Sequence, residues 1–399
     1  MNILDKSLSI VSTIESYDDL LWNERYRGAG DFRLMISPYV NEAQFLNLDY
    51  YIVRDDSERV MIIESYDPDT DVESGDIVSY GGRSLESILH RRIVWTQTTI
   101  SGNLQNGIKR LMNENAINPS IAERAIPNLV FKDSIDPNVT SITIDETQFT
   151  GDDLYEVIDA LCKKYKLGWK IILNNNNEFE FSLYAGKDRS TNQSIRTQIT
   201  ISVSNDNLFL SGHSVNTENY KNVTLVAGEG EGLSRRTASV GNASGLNRYE
   251  LFTDARDISS DNGEEPPIPD ETYNKMLIER GKQKLAECGI EERIDAEVDT
   301  TERAIFTYKE ELTFSSYSNF PSLGKTGKIY LDNSNGKTWI WNGSNYEIYH
   351  KGYYSIGDTI NVIDRYGYES VSRVTEITIC VNENGIQYRP IFEYDEEVT

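Results

Sequence analysis

Cysteine is scarce in this chain: three residues among 399, Cys162, Cys288 and Cys380, far apart and with no C-x-x-C pair. A disulfide framework is therefore not expected, and the thiols read as buried and free. Histidine is equally sparse. His90, His213 and His350 stand isolated with no H-E-x-x-H pair, so a zinc site or a Ser-His or Cys-His base has few candidates. No metal or other cofactor is expected. No apolar run reaches the roughly 18 residues that a membrane helix needs, so no membrane insertion is expected. Residues 1–17 carry Asp5 and Glu15 with a single lysine, unlike the basic and then apolar start of a secretory signal. Basic residues are in deficit: 39 Lys and Arg against 64 Asp and Glu, for a net charge of −25. A field of that sign repels phosphates and speaks against specific nucleic-acid binding.

What is present is a composition for folding. Hydrophobic residues make up 38% and charged residues 26%, the balance of a globular chain long enough for two or three cores. Tyrosine, at 24, outnumbers the 12 phenylalanines and 5 tryptophans, which suits strands and wet interfaces. The first third alternates β patterns with short helices. Strands are expected around 8–11, 32–36, 51–53, 60–63 and 76–80, with 54–59 as a charged hairpin connection. Ser84 is a plausible N-cap for a helix carrying Leu85, Ile88 and Leu89, and a second helix is expected from about Ser101.

The clearest helix carries Leu154, Val157, Ile158, Leu161, Cys162 and Tyr165 on one stripe, with Thr150 or Asp152 to cap its start and Gly168 its end. A hairpin follows around four asparagines, 174–177, and then strands near 199–203, 222–227 and 248–253. An acidic, proline-rich stretch at 261–270 leads to a helix capped by Asp270 and stopped at Gly289. Beyond it, 305–314, 328–331, 337–341, 361–363, 371–381 and 387–394 read as strands. The fold class expected is α+β, β-dominated, in several small domains.

Each apparent catalytic or binding motif fails on spacing. Asp67-Pro68-Asp69-Thr70-Asp71 would open a calcium loop, but the positions for its glycine and glutamate hold Val72 and Val78. Gly324-Lys325-Thr326 resembles the end of a phosphate loop, but the first glycine falls on Asn319 and a strand follows instead of a helix. Gly228-Glu229-Gly230-Glu231-Gly232 lacks the dinucleotide spacing and puts two carboxylates where a pyrophosphate would lie. Ser244 sits in G-x-x-S-G, not in a nucleophile elbow. Among 64 carboxylates some pair will stand at glycosidase separation by chance, and sequence cannot select it. No catalytic residue is nominated, and no enzyme is expected.

Three segments together resemble the tail hub, or tail-associated, proteins of long non-contractile-tailed bacteriophages. The first runs from Tyr17 through Trp22, Arg25 and Tyr26 to Gly30-Asp31-Phe32-Arg33-Leu34. The second is Tyr80-Gly81-Gly82-Arg83-Ser84-Leu85-Glu86-Ser87-Ile88-Leu89-His90-Arg91-Arg92-Ile93. The third is Tyr354-Ser355-Ile356-Gly357-Asp358-Thr359-Ile360-Asn361-Val362, followed by Arg373 to Ile377. They occur in family order along the chain. The resemblance implies a baseplate-hub-like fold of β-barrel-like domains with helical additions. It divides the chain into an N-terminal barrel-like domain (1–140), a middle α+β region (141–260), a linker, helix and strand (261–314), an inserted module (315–352) and C-terminal hub strands (353–399).

The same resemblance implies a role in the virion. Such a protein is a homotrimer at the tail tip, assembled in the host cytoplasm, that caps or extends the tail tube. It joins the tube to distal fibre, spike or receptor-binding proteins and lets DNA pass. Longer relatives carry C-terminal enzymatic or receptor-binding regions, for which a chain stopping at Thr399 is expected to lack room.

One stretch departs from the hub pattern. Residues 320–346 read as a small β meander with turns at 332–336 and at Asn342-Gly343. Trp339 and Trp341 lie two apart and share a strand face. The stretch resembles short aromatic modules scattered through phage tail and fibre proteins. Trp339, Trp341, Tyr346 and Tyr330 are therefore candidates for partner or glycan contact, or, in the plainer reading, the miniature core that so small a unit needs. Receptor or glycan binding through this module is the alternative function.

Overall fold

Strand Asp19–Arg25 alternates half-buried and buried side chains along its whole length, and Asp31–Ile36 buries Phe32, Leu34 and Ile36 on one face. Such period-two patterns commit one face of a strand to a core. The computed structural model describes residues 1–71, 75–263, 266–299, 304–383 and 385–394. Val72, where the calcium-loop glycine would fall, lies outside the described residues, as do 264–265 of the acidic proline-rich stretch and the last five residues of the expected C-terminal segment. The chain forms two units, each gathered from separate stretches. The first comprises Met1–Leu85, Gly186–Ser214 and Glu292–Thr399, and the second Glu86–Ala185 and Val215–Glu291. The division read from sequence falls instead at 140, 260, 314 and 352.

In the first unit a ten-stranded sheet has Glu369–Asn382 near its middle. One edge of this long strand is shared. Residues 369–373 pair with Thr359–Ile363, and residues 376–381 pair with strand Asp19–Arg25. Its other edge pairs antiparallel with Gly385–Tyr394, with a bulge between Val374 and Glu376 at the changeover. A four-stranded sheet lies on the same core: Ile3, Ile52 and Met61 from it join Leu20, Trp22, Leu34, Ile360, Val374 and Ile377 of the larger sheet. The β-dominated α+β class is as expected. The barrel-like expectation needs correction, since no sheet among the described residues closes on itself. Two open sheets share one core instead.

The second unit holds the helices. Leu154–Lys164 buries Leu154, Val157, Ile158, Leu161 and Cys162, as the stripe predicts. Its cap is Asp153, not Thr150 or Asp152. Asp153 is the last extended residue before the helix, and its Oδ1 accepts from the Tyr155 and Glu156 amides at 2.8 and 3.3 Å. The chain turns after the helix at Lys166, φ +54°, while Gly168 already belongs to the next strand. The hairpin of Gly168–Leu173 with Phe179–Tyr184 forms as read. Leu104–Met112 starts three residues later than expected, capped by Asn103.

A third helix, Asp270–Glu287, has Pro269 at the capping position and Asp270 as its first helical residue. It contributes Tyr273, Met276 and Leu277 to a core with Val226 and Ala255 beside the three strands Thr237–Val240, Val223–Ala227 and Glu250–Asp254. The segment after Ser84 forms a tight 3-10 turn, Leu85–Arg91, rather than an α-helix. Glu86, fully buried, accepts the Ile171 amide at 3.0 Å, which ties it to a backbone donor that would otherwise need another partner.

Candidate interaction module

The first and third hub-like segments, and the second as far as Leu85, meet in the first unit, and their special residues serve packing. The Gly30 amide donates to Ser84 Oγ at 2.7 Å, and the Ser84 amide donates back to the Gly30 carbonyl at 2.9 Å. Tyr26 joins the first segment to the third and to the stretch that begins at Gly186. Its amide donates to Thr375 O at 2.8 Å, and its hydroxyl accepts the Gly186 amide at 3.1 Å. Gly357 lies under the Tyr26 ring with φ +91°, and a Cβ there would fall 2.4 Å from Tyr26 Cε2. Only glycine accepts both conditions.

The aromatic stretch folds as a four-stranded sheet in chain order: Glu311–Phe314, Ile329–Asp332, Lys337–Trp341 and Tyr346–Ile348. The first pair is parallel and the other two antiparallel. The sheet thus begins at Glu311. The sequence reading had merged this strand with Phe306–Tyr308, which pairs elsewhere, with Gly352–Tyr354. At the first turn, Asp332 Oδ1 accepts the Ser334 amide at 2.9 Å and Gly336 takes φ +70°. The second turn is four residues long, because Asn342 Oδ1 accepts the Ser344 and Asn345 amides at 2.9 and 2.8 Å while Gly343 takes φ +97°.

Register puts all four candidate aromatics on one face. Tyr330 is directly opposite Trp339, and Trp341 is opposite Tyr346. Ring centroids stand 4.9 Å apart for Tyr330 and Tyr346 and 4.8 Å for Trp341 and Tyr346. Tyr317, 4.7 Å from Trp339, and Phe320, 5.1 Å from Tyr346, complete the cluster. Neither was among the candidate residues read from sequence, although both belong to the same dense aromatic stretch.

The face is covered. Tyr330 is 1% exposed and Trp341 8%, while Trp339 and Tyr346 are half-buried. Loop 321–327 does the covering. The Lys325 amide donates to the Tyr330 hydroxyl at 2.6 Å, the Tyr346 hydroxyl donates to Pro321 O at 2.8 Å, and Gly324 lies so close to the Trp341 ring that a Cβ would come within 2.5 Å of its Cγ. The Gly324-Lys325-Thr326 sequence is thus part of a loop that covers the aromatic rings and opens no helix. The four candidate residues come together as a miniature core.

An ionic cluster holds the root of this sheet to the rest of the first unit. Glu311 accepts from Lys187 Nζ, from Arg189 at 3.3 Å and from the Tyr353 hydroxyl. Burial alone would raise the Glu311 carboxyl. The charge and hydrogen bond of Lys187, the Tyr353 hydroxyl and the charge of Arg189 outweigh that, and its pKa lies below the ordinary value. Burial and the neighbouring Glu311 charge push the Tyr353 phenol well up. Among the described residues, no group of three His, Cys, Asp or Glu side chains could hold a metal ion.

Comparison with known proteins is consistent along the chain. The family model for siphovirus ReqiPepy6 Gp37-like proteins matches residues 1–392. No curated protein is significantly similar in sequence. The tail protein from Neisseria meningitidis MC58 is similar in structure at 12% identity, with 99% of this chain and 96% of that one covered and a TM-score of 0.51. The 43 kDa tail protein of prophage MuSo2 from Shewanella oneidensis is similar at 11% identity, with 98% of each chain covered and a TM-score of 0.51. At such identities the likeness is one of fold.

Proposed function

The chain belongs to the siphovirus ReqiPepy6 Gp37-like family; from that premise we propose that it is a structural phage tail protein, a hub at the tail tip. In this reading the protein resides in the virion, forms a homotrimer, caps or extends the tail tube, allows DNA passage, and joins the tube to distal fibre, spike or receptor-binding proteins. The observation that carries the proposal is the extent of the likeness: tail proteins share the fold over 98% or more of this chain. The acidic balance of −25 supports it, because a wall that conducts DNA must not hold phosphates. The aromatic sheet is a decoration with its own core, set on the hub at Glu311.

Light scattering on the purified chain, followed by electron microscopy of the same fraction, tests the proposal. The expected species has close to three times the 45.4 kDa chain mass and a central opening. A stable monomer at high concentration would overturn the trimer. Saturable binding of purified cell-wall polysaccharide, lost in Trp339→Ala, would instead make the aromatic sheet a recognition module.

A further inference from the structure

In a chain with a net charge of −25, one groove of the second unit runs against the general sign. It has a volume of about 330 Å³, and its lining includes Arg91, Arg92 and Arg124 with Glu123 as the one carboxylate. Its apolar surface comes from Trp95, Ile93 and Ile121, which are 53%, 39% and 39% exposed. Exposed tryptophan beside arginine is the composition of protein–protein anchor sites, and it is unusual on a surface without a partner.

The groove is built, not fortuitous. The Trp95 amide donates to Asn115 Oδ1 at 2.9 Å, and the preceding Val94 amide donates to Asp152 O at 2.8 Å. The Arg124 guanidinium lies 4.8 Å from the centre of the Trp95 ring and donates to Ile93 O at 2.7 Å. Arg92 crosses beneath, donating to the carbonyls of Arg124, Ala125 and Arg91. These bonds fix Arg92 and Arg124 before any ligand arrives, so less side-chain freedom is lost on binding. The cations also crowd one another: burial, then the charges of Arg124 and Arg91, lower the Arg92 pKa. An anion seated here would relieve that repulsion. Among the described lining residues the other titratable side chain is His90, whose Nδ1 stands 3.1 Å from Asp153 Oδ2 and whose ring stacks on Tyr155.

We propose that this groove binds a short acidic peptide segment of another protein, one large apolar side chain entering between Trp95, Ile93 and Ile121 while a flanking Asp or Glu meets Arg91 and Arg124. Charge complementarity selects the acidic flank. The small volume and the exposed Trp95, Ile93 and Ile121 favour a peptide anchor over a phosphate polymer, which needs a charged track instead of a pocket. The long-range field of the chain repels acidic partners, so recognition rests on this contact and weakens as salt screens it. The proposal does not depend on the position of the protein within the tail.

The test uses the full chain and a fluorescent pool of hexapeptides of the form Asp-Asp-Xaa-Gly-Glu-Glu, with Xaa Leu, Phe or Trp. Anisotropy is expected to show saturable binding of at least one member. Binding should weaken by about tenfold or more in Arg91→Glu and in Trp95→Ala, with circular dichroism of both variants unchanged. Arg91→Lys, which keeps the charge, should retain most of the binding. The proposal is overturned if no member binds, if the Lys-flanked counterparts bind equally well, or if poly(glycerol phosphate) or a dT oligonucleotide competes better than any peptide.

Discussion

Arg189 and Asp358 are separated by 169 residues in sequence, yet Arg189 Nε donates to Asp358 Oδ2 at 2.7 Å with the two side chains 6% and 3% exposed. The same carboxylate accepts the Lys187 amide at 2.9 Å and the Ser355 amide at 3.0 Å. The guanidinium also reaches Glu311 at 3.3 Å and lies 4.5 Å from the centre of the Tyr353 ring. One cation thus binds three parts of the first unit: the stretch after Gly186, the Gly357-Asp358 turn, and the root of the aromatic sheet.

Replacing Arg189 by Met should therefore be costly. The change leaves Asp358 and part of Glu311 buried without their cation, a situation that costs about 3–5 kcal/mol. The exposed Lys6–Asp49 pair, 63% and 54% exposed, is the control: Lys6→Ala should cost no more than about 1 kcal/mol. Urea unfolding of both variants, followed by tryptophan fluorescence, measures the difference. Equal midpoints would mean that the buried cluster contributes nothing.

Acid should weaken the same cluster. The Glu311 pKa is lowered in the folded protein. A carboxylate of this kind stabilises the fold above its unfolded pKa, about 4.3, and that stabilisation is lost as pH falls through the lower, folded value. Thermal midpoints should decline on acidification below about pH 4, and Glu311→Gln should flatten that part of the profile. Parallel profiles for the two proteins would remove Glu311 as the cause.

Trp341 and Trp339 share a face but not a depth. Truncating the 8% exposed Trp341 to Ala should cost about 3–5 kcal/mol, the range for a large buried aromatic. It should open residues 315–352 to limited proteolysis. The half-buried Trp339 should cost less when truncated. Gly324→Ala should destabilise by about 1–3 kcal/mol, since its Cβ would overlap the Trp341 ring. Protease resistance of 315–352 in Trp341→Ala would show that this ring is not core.

Much of the fold was legible because local patterns carry it. The apolar stripe of Leu154–Lys164 and the asparagine turn at 174–177 needed no distant partner to be read, and Asn342-Gly343 marked a hairpin although its loop proved longer. Helix starts were read to within a few residues, because several adjacent polar side chains can cap and only the backbone angle at Asp153 selects one. The candidate aromatics were legible as a group for the same reason that they became a core: alternation along paired strands placed them on one face. Whether that face was open depended on a covering loop whose backbone has no periodic signal.

The class of this protein, β-rich with few helices and acidic, could be read from the amino-acid order alone. That order also carried the three segments that resemble phage tail hubs. What those segments do emerges only from the folded chain: Gly30 meets Ser84, Tyr26 covers Gly357, and Arg189 finds Asp358. Folding alone gathered Arg91, Arg92 and Arg124 around Trp95. The physical reason is the same in each case. Period, propensity and turn chemistry act over a few residues and can be read along the chain. Burial, charge pairing and close backbone approach join residues far apart, and they exist only once the strands between have taken their places.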